Sequence, residues 1–246
     1  MFVLFFWRRS PLLTDYGFKP QKKMQVLVIS MDSALGEQRR AKLNFPYAHW
    51  IRGCTYDDAP EEVQAKMHTM YNCAEEKRRS RIGVFAAHLR ALEYIVEHDL
   101  HGVAVCEDDA TLSSVLPLPT SLPEDGACLL GAVLAHPTNW TKNSTWVKEE
   151  AEKEVARFAR GTNVIDYSRY RWKGAWAIYY PTPAVAARVL RSVRSCKYYR
   201  HFDLLLARLG IPKYLYYPSV FDHDDSGVSQ NGQAHGLLRN YLGARR

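Results

Sequence analysis

The stretch MQVLVISMDSALGEQRR, residues 24–40, decides the fold class. Its first seven residues are dominated by Val, Leu and Ile, without the apolar–polar alternation of a half-exposed strand. Such a run reads as a strand buried on both faces, as in a parallel sheet. Met31 and Asp32 stand at its carboxyl end, and ALGEQRRAKLN then reads as a strongly basic helix. Working outward, a short strand is expected over Ala48–Arg52, closed by Gly53. A helical region follows from about Pro60 to Arg79, with Pro60, Glu61 and Glu62 suited to a helix start. In SRIGVFAAHLRALEYIVEHDL, Phe85, His88, Leu89, Leu92, Ile95 and Val96 recur at helical spacing, which gives the helix one buried face.

GVAVCEDDA, residues 102–110, is a second buried strand, and it runs straight into three acids. Pro117, Pro119 and Pro123 mark a loop, and ACLLGAVLAH a strand near 127–133. NWTKNSTW reads as an exposed loop and VKEEAEKEVARFARG as a solvated polar helix. An aromatic strand, Ala175–Tyr180, precedes a helix opened by Pro183. HFDLLLARLG is a short helix stopped by Gly210 and Pro212, and KYLYYPSVF a last strand or extended segment. Strands alternating with helices predict an α/β fold with a mostly parallel central sheet and flanking helices. The expected organisation is an N-terminal tail over 1–23, one domain over 24–235 and a basic tail over 236–246.

The chain has 246 residues, 47% hydrophobic and 24% charged, with a net charge of +7. That composition excludes collagen, wholesale disorder and a disulfide scaffold. The positive balance fits a polyanionic partner: nucleic acid, a phosphate-bearing small molecule or an anionic membrane. The basic residues are spread rather than gathered into a stripe, so nucleic acid is not expected. Cys54, Cys73, Cys106, Cys128 and Cys196 are odd in number and contain no C-x-x-C pair, which reads as reduced, packed thiols. A reducing, cytoplasmic compartment is the expectation. MFVLFFW is too short to span a membrane and lacks a secretory cleavage pattern. Peripheral membrane contact through this N-terminal tail stays open. The sequons at Asn139 and Asn143 would matter only in a secretory lumen.

Three consecutive acids, Glu107, Asp108 and Asp109, need something to offset their repulsion. A divalent cation with hard oxygen ligands, Mn²⁺ or Mg²⁺, would do so. Ligands of an open α/β sheet bind beyond the carboxyl ends of the strands, which is where these acids fall. A solvated acidic turn is the competing reading. Asp222-His223-Asp224-Asp225 is a second metal-ligand set or an exposed polar turn. It shares a site with the first cluster only if the fold joins them. Asp32 either accepts hydrogen bonds from a ribose or base edge or caps the following helix. Arg39 and Arg40 bring charge to the same rim or form a solvated helix face. His88 is a ligand-site residue or a satisfied core histidine. There is no G-x-S-x-G, P-loop or G-x-G-x-x-G motif.

In this order the segments resemble glycosyltransferase family 25, which includes lipooligosaccharide and collagen galactosyltransferases. The family's V-I-N-L-D-R-R stands here as VISMD followed by QRR, with Ser30 in place of Asn. Its G-E-I-G-C-A-L-S-H-L-x-A is similar to SRIGVFAAHLRAL, which keeps Ile82, Gly83, His88, Leu89 and Ala91. Arg81 replaces the usual acid and Ala87 the usual serine. L-E-D-D appears as Cys106-Glu107-Asp108-Asp109, and KGAWAIYYPTPAVAARVL and HFDLLL match later segments. Tyr217-Pro218-Ser219, ahead of a polar stretch and Ser226, matches the closing one. The resemblance covers residues 24–230.

It implies a GT-A, Rossmann-like fold and a UDP-sugar donor. The activity implied is transfer of a hexose, galactose or glucose, with inversion to a hydroxyl of a glycan or glycoprotein acceptor. It further implies Mn²⁺ or Mg²⁺ held by Glu107 and Asp109 with His223, and a donor contacted by Asp32, Arg39, His88, Glu107 and Asp108. Asp203, Asp224 and Asp225 are the candidate bases for the acceptor proton. The alternative is a metal-dependent nuclease or phosphohydrolase built on the Glu107–Asp109 acids.

Overall fold

The computed structural model describes residues 24–43, 48–68, 74–112, 122–137, 164–166, 170–216 and 220–223. The tails, the sequons, the polar helix expected near 146–161, the segment 217–219, and Asp224, Asp225 and Ser226 lie outside them.

The strands are β1 (Gln25–Ser30), β2 (Ala48–Arg52), β3 (Val103–Glu107), β4 (Ala110–Leu112), β5 (Ala127–Pro137), β6 (Val164–Asp166), β7 (Tyr170–Tyr180), β8 (Lys213–Tyr216) and β9 (Phe221–His223). The helices are α1 (Ala34–Lys42), α2 (Glu61–His68), α3 (Glu75–Glu97), α4 (Pro183–Arg194) and α5 (Phe202–Leu206). Seven strands form one sheet in the order β2-β1-β3-β7-β5-β8-β6, and β4 and β9 form a separate ribbon.

The fold class is α/β, but the sheet is mixed rather than mostly parallel. Its β2-β1-β3 flank and the β5–β8 pair are parallel. The β3–β7, β5–β7 and β6–β8 pairs are antiparallel. The expectation failed because it rested on helix–strand alternation. β7 enters the sheet antiparallel to both β3 and β5, a direction that its aromatic run does not encode. The helical region expected over Pro60–Arg79 is also two pieces: α2 ends at His68, and residues from Glu75 onward belong to α3.

Strand period 2 divides the core into two layers. Leu27, Val103 and Val105 face a layer built with α2, α3, α4 and α5. Val26, Val28, Ala104 and Cys106 face the other layer, with Trp176, Val220 and Phe221. Both sides of β1 and β3 are therefore dry, as their apolar runs require. On α3, Ile82, Phe85, Leu89, Leu92 and Ile95 make the buried stripe. The α4 helix is opened by Thr182, whose side chain accepts from the Val185 amide, with Pro183 in the first turn. That pairing of cap and proline is what the local sequence favours.

Candidate functional site

The chain runs from β1 through α1 to β2 on one side, then through α2 and α3 to β3 on the other side of β1. The crevice between the carboxyl ends of β1 and β3 is thus a topological switch point, the place where open α/β sheets take ligands. A cavity of about 340 Å³ lies there. Its inner wall is Ser30, Met31, Arg39, Glu107, Asp108 and Asp109. The outer wall comes from the segment after β2, with Tyr56 and Asp57, and from the α3 face of Arg79, Gly83, Val84 and His88.

Close backbone approach shapes both walls. A Cβ on Gly36 would stand 2.0 Å from the Met31 carbonyl oxygen, so only glycine lets α1 start this near the end of β1. A Cβ on Gly83 would meet the Cys54 carbonyl oxygen at 2.2 Å, so glycine also sets how closely α3 lies on the segment after β2. Ser33 opens α1, its side chain accepting from the Gly36 amide at 3.1 Å. The last turn of α1 then carries Arg39, Arg40 and Lys42, which suits the negative end of the helix dipole.

The three acids have three different environments. Asp108 is buried: Ser30 Oγ donates to one carboxylate oxygen at 2.9 Å and Arg39 donates to the other at 2.8 Å. Burial pushes the Asp108 carboxyl up from its ordinary value, and the bonds from Arg39 and Ser30 pull it back only in part. Asp109 lies 3.6 Å from the same guanidinium, an ion pair without a hydrogen bond between them. Glu107 is the most open, and its Oε1 is 3.1 Å from His88 Nε2. A carboxylate only accepts, so Nε2 is the donor. The His88 ring is 2% exposed and stacks on Phe202 with centroids 4.5 Å apart. His88 is therefore packed in the core and also lines the cavity.

Arg40 donates to Ser30 Oγ at 3.0 Å and to the Met31 carbonyl at 2.9 Å, pinning α1 to the end of β1. Arg79 reaches across the outer wall, bonded to both Asp57 oxygens at 2.9 and 3.1 Å and lying 4.4 Å from the Tyr56 ring centroid. Cys54 also lines the cavity, and burial pushes its thiol up, with Arg90 opposing. In the strands, Cys106 is pushed up by burial and Cys128 up to about 12, so both stay neutral thiols.

Asp32 lies outside the cavity lining. It is exposed and pairs with Arg52 at 3.2 Å, and the helix cap is Ser33 instead. Asp203 also lies outside the lining: one of its oxygens accepts from the Gly174 amide at 2.8 Å, the other from Leu204 at 2.7 Å. Its neighbour Phe202 reaches the site through the His88 ring. The β4–β9 ribbon sets Ala110 opposite His223 and Thr111 opposite Asp222. The backbone thus brings the second acidic cluster next to the first, while Asp224 and Asp225 lie beyond the described residues. Among the described residues, no three His, Cys, Asp or Glu side chains converge closely enough to hold a metal by themselves.

Sequence reasoning missed the outer wall, Tyr56, Asp57 and Arg79, and the Phe202 stack. Gly53 was the available signal. A strand parallel to β1 and ending there sends its following segment to the same rim. No family model matches the chain, and no curated protein matches it at a significant level. Among the described residues no helix is long and apolar enough to cross a membrane.

Proposed function

We propose that the β1–β3 cavity binds a nucleotide-sugar and that the protein is a UDP-sugar-dependent glycosyltransferase of GT-A type. The observation that carries this reading is the acidic end of β3 at the switch point, held in place by Arg39, Ser30 and His88. A cavity of about 340 Å³ is within the range of small-molecule sites. The resemblance to glycosyltransferase family 25 supplies the donor class, UDP-galactose or UDP-glucose, an acceptor hydroxyl on a glycan or glycoprotein, and inversion.

The donor set fits Mn²⁺ or Mg²⁺ in part. Glu107 and Asp109 offer hard carboxylate oxygens on the cavity wall and would hold the ion. Asp108 does not fit as a ligand, because both its oxygens are engaged by the protein. Two carboxylates leave coordination positions for a diphosphate and water, and His223, whose backbone pairs with Ala110 next to Asp109, is the proposed third protein ligand. Bound there, the cation would neutralise charge on the leaving diphosphate as a Lewis acid. The chain's own residues set up that step. Asp108 fixes the turn after β3 through Ser30 and Arg39, and His88 holds one oxygen of Glu107 at the cavity wall. Inversion requires a base for the acceptor proton. Asp203, Asp224 and Asp225 are the proposed candidates, and Asp203 already serves two backbone amides.

The experiment is incubation with Mn²⁺ and a panel of UDP-sugars, with UDP release measured. Release from one or two UDP-hexoses, stimulated by an acceptor glycan, is the expected result. Release of inorganic phosphate, or cleavage of nucleic acid without UDP-sugar turnover, would establish the phosphohydrolase or nuclease reading instead.

A further inference from the structure

Two adjacent arginines leave the last turn of α1 and do different things. Arg40 anchors the helix to β1, through Ser30 Oγ and the Met31 carbonyl. Arg39 turns to the acids at the end of β3. Its side chain is 11% exposed, donates to Asp108 at 2.8 Å and lies 3.6 Å from Asp109. Its guanidinium brings a full positive charge to the acids. It is tied firmly to Asp108 and leans on Asp109 without a hydrogen bond. The position beside Asp109 is also where a divalent cation would be drawn.

We propose that Arg39 is a built-in counter-cation, a positioning residue tethered by Asp108 that neutralises Asp109 until a divalent ion takes over, and that thereby sets the affinity for that ion. The inference rests on the reading that Glu107 and Asp109 take a divalent cation. Two positive groups then compete for one carboxylate at short range, where charge repulsion is strongest. The ion alone binds weakly. A diphosphate brings negative charge that both cations can share, so ion and donor bind together much more tightly than either binds alone. The tether to Asp108 limits how far Arg39 presses on Asp109.

The test is Mn²⁺ binding to the purified full chain, read from loss of the free-ion EPR signal, with and without UDP. Four proteins are compared: wild type, Arg39→Gln, Asp108→Asn and the double variant. Arg39→Gln is expected to bind Mn²⁺ roughly tenfold more tightly than wild type without UDP, because the competing charge is gone. Asp108→Asn is expected to bind more weakly, since Arg39 loses its tether and moves onto Asp109. In the double variant that weakening disappears. Equal or weaker binding by Arg39→Gln overturns the proposal. Weakening that persists in the double variant overturns the tether and makes Asp108 a ligand. Should Arg39→Gln fail to fold, the isosteric Asp108→Asn carries the test, and unchanged binding there overturns the proposal. If wild type binds no Mn²⁺ even with UDP, the metal reading itself fails and takes this inference with it. Binding by wild type that Arg39→Gln leaves unchanged sinks the inference alone.

Discussion

The two flanks of the sheet use the same kinds of residue in opposite ways. On the parallel β2-β1-β3 flank, the polar side chains that line the cavity pair with side chains from other elements. Asp108 is held by Arg39 of α1 and Ser30 of β1, and Glu107 by His88 of α3. On the mixed flank Asp203, Trp176 and Lys213 pair with backbone. Asp203 accepts from the Gly174 and Leu204 amides, Trp176 donates to the Phe221 carbonyl, and buried Lys213 donates to the Ala207 and Leu209 carbonyls. Backbone partners seal a fold, because they complete hydrogen bonds the chain must make anyway. Side-chain partners converging from separate elements leave a concave space between them. The cavity lies on the flank of the second kind, and the carboxylate that looks equally chemical in sequence, Asp203, serves as structure on the other.

That contrast is open to attack at its strongest point first. Asp109→Ala is expected to lower Mn²⁺-dependent UDP release by about a thousandfold, the scale of losing a charge-stabilising group. Its thermal midpoint should stay near that of wild type, because removal of one acid also relieves repulsion within the Glu107–Asp109 run. Full activity in this variant would break the assignment.

Next in size is Phe202, where the flanks meet. Its ring stacks on His88 and meets Phe85 edge-on at 5.7 Å. Phe202→Ala should cost about 3–5 kcal/mol in chemical denaturation, as large-to-small core changes do. It should also release the His88 ring, seen as altered imidazole chemical shifts. A loss under about 1 kcal/mol would mean that the two flanks are not mechanically joined there.

A pair of glycines separates the flanks more finely. Gly83→Ala places a Cβ 2.2 Å from the Cys54 carbonyl oxygen, whereas a Cβ on Gly210 meets nothing within 4 Å. Alanine normally gains about 1 kcal/mol over glycine inside a helix. At Gly83 the clash should reverse that sign and cost roughly 1–3 kcal/mol, as overpacking does. Gly210→Ala should lie within about 0.5 kcal/mol of wild type, as most unobstructed surface changes do. Equal effects of the two substitutions in urea denaturation would contradict the packing described for the cavity wall.

The smallest expected effect concerns pH. Burial lowers the pKa of His201, with Asp203 opposing and Arg81 adding to the lowering. The folded state therefore holds this imidazole neutral at a pH where the unfolded chain already protonates it. Stability is then full above the ordinary histidine value of about 6.5 and falls as pH drops below it, until the folded state also takes the proton. His201→Asn should flatten that part of the profile of thermal midpoint against pH. An unchanged slope would show that another group is responsible.

Much of the parallel flank was legible in the sequence, and the reason is physical. A strand buried on both faces must be a continuous apolar run, so MQVLVIS and GVAVCE declare themselves, as do the acids that interrupt the second. The helical stripe on α3 and the Thr182-Pro183 start of α4 are equally local signals. The direction of β7 is not local. Its aromatic run suits either orientation, and its antiparallel pairing with β3 and β5 is set by partners far along the chain. The distinct fates of Asp32, Asp108 and Asp203 were illegible for the same reason. Each depends on a partner far along the chain: Arg52, Arg39 with Ser30, and the Gly174 amide. Spacing within a motif carries no information about such partners.

The central claim is that the crevice between β1 and β3 is where a nucleotide diphosphate binds. Hydrogen–deuterium exchange of the full chain with UDP and Mn²⁺, together and separately, tests it most directly. Protection should appear in peptides covering residues 53–57, 79–88 and 107–109 when both are present, with little change in α4 or β8. Protection confined to the mixed flank, or none at saturating UDP and Mn²⁺, would contradict the account.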